Sequence, residues 1–231
     1  MTDDFSSYHE RRGLAAAFAL CALTTLMLLA NHPGDGAHAI ADLIKSEARN
    51  QLIDGVVHGG FIVILGALIV CFVFLSRYLG AARVPVIIGL VAFCIGSGAL
   101  MASMILDGFA TPAIAVRFAG TDSAENLTMA KTLLIFLGTL IRFLMPMGML
   151  FQSVAMFSWS SVIVRRRGLP RAVGAFGLAV AVSLIVALLA VPTAMATHVL
   201  LGGIMLQGIW YFALAGVLSS RGALDLAHAQ P

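Results

Sequence analysis

Apolar residues along this chain run in long blocks separated by short polar clusters. Six blocks stand out: Gly13–Ala30, Val56–Ser76, Val86–Leu106, Phe143–Val164, Ala172–Val191 and Thr197–Ser219. Each approaches the roughly 20 apolar residues that carry a helix across a bilayer. The alternating pattern of a membrane β-barrel strand is absent. Backbone groups in lipid must be satisfied within their own segment, so the pattern predicts an all-α membrane protein. The expected fold is a six-transmembrane-helix bundle forming one integral membrane domain over residues 1–231.

The connections are unequal. Arg77–Pro85, Arg165–Arg171 and Pro192–Thr197 are tight, whereas Asn31–Gly55 and Asp107–Lys131 are long and fall on one side of the bundle. Long polar segments on one face are where function concentrates. In the first of them Ile40, Ile44, Ala48 and Leu52 recur at helical spacing, which predicts an amphipathic outer helix between spans 1 and 2, running into the second span. Glu47, Gln51, Asp54 and His58 form a polar stripe on another face of it. Gly55 and Gly59 make a small-xxx-small pair that lets a neighbour approach closely. A rival reading of the first 39 residues is a secretory signal ending at Ala37-His38-Ala39, but the gap from the apolar core to that site is long.

Composition sharpens this picture. The chain is 60% hydrophobic and 11% charged, against about a quarter charged in globular domains. The net charge of +3 follows topology rather than nucleic-acid binding. Nine arginines (11, 12, 77, 83, 165, 166, 167, 171 and 221) fall on one side of a six-span arrangement, while Lys45, Arg49, Arg117 and Lys131 fall on the other. The positive-inside rule then puts both termini in the cytoplasm, and the expected partner of the basic side is anionic lipid. Among protein partners, a second copy or another membrane subunit stay open. Cys21, Cys71 and Cys94 lie within spans without metal-ligand spacing and read as small packing residues.

Two short motifs, Pro85-x3-Gly89 and Pro170-x3-Gly174, each open a span after a basic residue and hint at a duplicated hairpin. The second belongs to "SSVIVRRRGLPRAVGAFGLAVA" (Ser160–Ala181), which resembles the span–Arg–Leu-Pro–Arg–x-x-Gly–span segment of a family of bacterial six-helix membrane proteins known as a domain of unknown function. The helix Ala39–Leu52 is similar in placement to theirs. The likeness covers about half the chain. It implies a six-helix architecture in a bacterial inner membrane and no particular activity.

Placed on this topology, the polar residues segregate. His32, His38, Asp54, His58, Asp107 and His198 all fall at or just beyond the outer ends of spans, and Asp54 and His58 share one helix face. Imidazoles and carboxylates converging from several helix ends can bind a metal, relay protons or hold a polar solute. Nine methionines (27, 101, 104, 129, 145, 147, 149, 195 and 205) also lie in the outer half or outer loops. Thioethers with imidazoles suit Cu(I), although Met145 and Met149 share a face from which Met147 points away. The first reading is therefore binding or transport of a small cation, copper among them, or of a small polar solute, held by Asp54, His58, Asp107, Arg142 and His198. The second is a membrane metalloenzyme with a transition metal on His58, His198, Asp54 and Asp107. The third is an accessory subunit with no site.

Arg142 is the single charge between Thr132 and Val164. Counting a span's length back from the arginines at 165–167 places it near the outer boundary, at the depth of Asp54 and Asp107. An ion pair is expected there, with Asp107 as the first partner.

Overall fold

The computed structural model describes residues 8–31, 40–121, 123–166, 170–190 and 196–219, without the side chains at 8, 9 and 196–198. Its helices are α1 (Tyr8–Ala30), α2 (Ile40–Leu79), α3 (Val84–Ile105), a π-helical turn (Leu106–Ala110), α4 (Thr111–Phe118), α5 (Ala124–Arg165), α6 (Arg171–Ala190) and α7 (Ala196–Ser219). Six helical stretches are long and apolar enough to cross a membrane, and no strand occurs among the described residues. This is the architecture of a multi-pass membrane protein.

Three of these stretches exceed a bilayer. α2 has 40 residues and α5 has 42, about 60 Å each at 1.5 Å per residue, against a hydrocarbon core of about 30 Å. α3 continues through the π turn into α4. The surplus of all three lies at one end of the bundle, where Ile44, Ala115, Phe118 and Ala130 close a small apolar core of their own. The segment 107–131 is thus mostly helix rather than the long loop its polarity suggests. Ile114, Ala115 and Phe118 give it an apolar face, and the Ser123 hydroxyl accepts from the Asn126 amide to start α5.

The π turn has a local cause. Pro112 has no N–H to give the Gly108 carbonyl, and its ring would clash with that carbonyl in a regular helix. Widening by one residue relieves the clash. The Thr111 backbone N–H and hydroxyl both reach the Leu106 carbonyl, the hydroxyl at 3.0 Å. Such turns inside helices recur at functional sites.

Apolar faces give helices little drive to associate in lipid, so close backbone packing does that work. α3 and α5 touch where Gly96 and Gly148 face each other: a Cβ on Gly96 would lie 2.7 Å from the Gly148 carbonyl oxygen. α6 meets α5 and α7 at Gly177, whose added Cβ would fall 2.5 Å from Trp210 Nε1. The main core is aromatic. Phe72 stacks on Trp159 at 4.2 Å between centroids, with Phe18, Phe93 and Tyr211 around it. Trp159 donates to the Ser76 hydroxyl at 3.1 Å. At the far end Gly80, with φ at 101°, makes the left-handed turn between α2 and α3, and the Arg166 guanidinium donates to the Tyr78 carbonyl while lying over its ring.

Candidate functional site: a cavity headed by His58 and Asp107

His58 and Asp107 come from α2 and the π turn and meet near the top of a cavity. His58 Nε2 lies 3.1 Å from Asp107 Oδ2, and His58 Nδ1 lies 2.9 Å from the Asp54 backbone oxygen. The i, i+4 stripe seen in the sequence places His58 one turn below Asp54. The π turn brings Asp107 to it, and Gly108 makes that approach possible. A Cβ at 108 would stand 2.3 Å from His58 Cβ. The pair Gly55 and Gly59 receives the ring of Phe109, at 3.8 and 3.5 Å, rather than another helix backbone.

The hydrogen bonds fix the charge of this pair. A carbonyl oxygen only accepts, so Nδ1 carries a proton and donates to Asp54. A neutral imidazole has no second N–H. The contact between Nε2 and Oδ2 therefore needs one further proton, held by either partner. Imidazolium with carboxylate and imidazole with carboxylic acid are both neutral as a unit.

Exposure then assigns the roles. The His58 side chain is 3% exposed and that of Asp107 is 35% exposed. Both ring nitrogens of His58 are engaged, so it positions Asp107, and Asp107 is the group an occupant can reach. The cavity below them has a volume of about 410 Å³, within the roughly 300–1,000 Å³ typical of small-molecule sites. It opens between α1, α2, α3, α5 and α7, and its walls are mainly apolar: Phe61, Leu65, Leu100, Met104 and Ile204 are representative. Gln152, Gln207 and Tyr211 also face it.

The five residues expected to form a polar pocket separate as follows. Asp54, His58 and Asp107 come together, Asp54 through its backbone carbonyl, and its side chain is buried. Arg142 is exposed, and among the described residues it makes no ion pair; the recorded partner of Asp107 is His58. The expected Arg142–Asp107 pair does not form. The π turn brings Asp107 to His58 of α2, while Arg142 sits on an exposed face of α5. The side chain of His198 lies outside the described residues, as do His32 and His38.

No group of three or more His, Cys, Asp or Glu placed to hold a metal ion occurs among the described residues. The methionines divide between the cavity and the exterior. Met104, Met145 and Met149 line the cavity, whereas Met27, Met129, Met147 and Met205 are exposed; Met195 lies outside the described residues. Met145 and Met149 share the cavity face and Met147 points away, because α5 stays helical through Pro146.

Sequence reasoning missed Gln152, Gln207, Gly108 and the π turn. The glutamines carried a legible signal, since each is the single carboxamide in its apolar span, where polar groups are costly and tend to be functional. Gly108 and the π turn did not, because their role exists only through contact with α2. No family model, curated protein or solved structure matches this chain.

Proposed function

We propose that the protein binds an elongated, neutral amphipathic molecule within the bundle, its apolar body in the cavity and its polar head on Asp107. The observation that carries this reading is a cavity of about 410 Å³ with apolar walls, headed by a carboxylate that a buried histidine holds in place. A hydroxyl head suits Asp107, because it can donate to Oδ1, which stays an acceptor whichever partner holds the shared proton. An anionic head meets a pair whose only charge-bearing group in reach is itself a carboxylate. A small cation or polar solute, the reading drawn from sequence, would use Asp107 but not the apolar walls, and the scatter of the methionines lends copper little support. In the arrangement favoured by the arginine distribution, both termini are cytoplasmic in a bacterial inner membrane and the cavity opens towards the periplasm.

Native mass spectrometry of the detergent-solubilised protein with hexadecanol tests the reading. One bound hexadecanol per chain is expected, with palmitate binding more weakly. Gly208 lines the cavity and an added Cβ there meets nothing within 4 Å, so Gly208→Leu should fold, fill the space and abolish binding. Equal binding by the wild type and Gly208→Leu would refute the proposal.

A further inference from the structure

Along α5 runs a row of apolar side chains that the rest of the chain leaves uncovered. Met129, Leu133, Phe136, Leu140, Phe143 and Met147 recur at spacings of four, three, four, three and four residues, the heptad seam by which one helix packs along another. α5 turns Leu127, Ala130 and Leu134 into the small outer core, and the row lies about a third of a turn round the helix from them. Leu140 is half-buried, and the other five are 38–68% exposed. Crossing the hydrocarbon takes about 20 of the 42 residues of α5, counted back from Arg165, so most of the row stands beyond the bilayer in water. An apolar surface of this size exposed to water marks an interaction site.

We propose that this row is a dimer interface, covered by the same row of a second copy of the chain. Two copies insert in the same sense, so a two-fold axis along the membrane normal sets their projecting helices parallel and in register, each row against itself. The charges permit that pairing. Lys131 and Arg142 lie on the opposite side of α5, and Glu125 flanks the start of the row, where the facing position in a parallel pair is Ala130. Asn126 is exposed and continues the row by one more heptad step. An asparagine at such a position meets its own counterpart in a parallel pair and fixes register and copy number. Its Nδ2 donates one proton to Thr121 Oγ1 at 3.0 Å, and the amide has a second N–H and an oxygen for that meeting. The area is also sufficient: at roughly 200 Å² per large side chain, the exposed part of the row is about 600 Å² per copy and about 1,200 Å² per pair, the lower end for a stable interface.

Single-molecule photobleaching in lipid vesicles, with one fluorophore per chain, counts the copies. The wild type should bleach in two steps. Phe136 and Ile135 are adjacent and equally exposed, at 60% and 58%, but Ile135 lies about 100° round the helix, off the row. Phe136→Glu and Met129→Glu should therefore bleach in one step, while Ile135→Glu keeps two. Thermal unfolding followed by tryptophan fluorescence checks that each variant is folded. Two steps that persist in both row variants, or a second step lost equally in Ile135→Glu, overturn the proposal. So does a wild type that bleaches in one step, which would leave the row to lipid or to a different protein.

Discussion

Replacing Gly108 by alanine should break the pairing of His58 with Asp107. The added Cβ would lie 2.3 Å from His58 Cβ, 2.5 Å from Cγ and 2.8 Å from Nδ1. Ordinary contact begins near 3.4 Å, so the overlap with His58 Cβ is 1.1 Å. A Cβ cannot swing aside as the tip of a long side chain can, so α2 and the π turn must separate. Such overpacking costs about 2 kcal/mol, and a separation of 1 Å also stretches the 3.1 Å contact between Nε2 and Oδ2 beyond hydrogen-bond range. Gly138→Ala, with nothing within 4 Å of its added Cβ, is the control and should stabilise α5 by about 0.5 kcal/mol. Reversible unfolding in detergent reads the stability, and nitrogen NMR of labelled histidine reads the His58 ring. A Gly108→Ala protein with wild-type stability and an unchanged His58 signal would refute the proposed geometry.

Three other changes test neighbouring steps. Asp107→Asn should keep most of the stability, because the amide can donate to a neutral Nε2, whereas Asp107→Leu should lose about 1–2 kcal/mol by leaving a buried histidine nitrogen unanswered; equal losses in a denaturation titration would contradict the proton count given for the pair. Arg142→Ala should change stability by less than about 0.5 kcal/mol, as for exposed positions generally, and leave the His58 NMR signal unmoved; a larger effect would mean that Arg142 does engage the site. Gly177→Ala should cost about 2 kcal/mol or more, because its added Cβ falls 2.1 Å from Ser160 Oγ and 2.5 Å from Trp210 Nε1; a neutral result in thermal unfolding would show that α6 is packed more loosely against α5 and α7.

The sequence by itself determined the helical class and the apolar stretches that can span a membrane. Those follow from the length of apolar runs and from the need of a backbone in lipid to satisfy its own hydrogen bonds. It also determined the Asp54 and His58 face, since an i, i+4 spacing on a helix is geometry rather than context. The tertiary structure decided which acid meets His58. Asp107 and Arg142 were placed at the same depth by counting residues, but depth says nothing about azimuth. The widened turn that accommodates Pro112 directs Asp107 towards α2, while Arg142 stays on an exposed face of α5. The cavity was decided in the same way. Leu65, Leu100, Gln152 and Gln207 are separated by 35 residues or more at each step of the sequence, and they line one space only because α2, α3, α5 and α7 enclose it. A linear pattern reports the environment of each helix face, whereas an enclosed volume belongs to several faces at once.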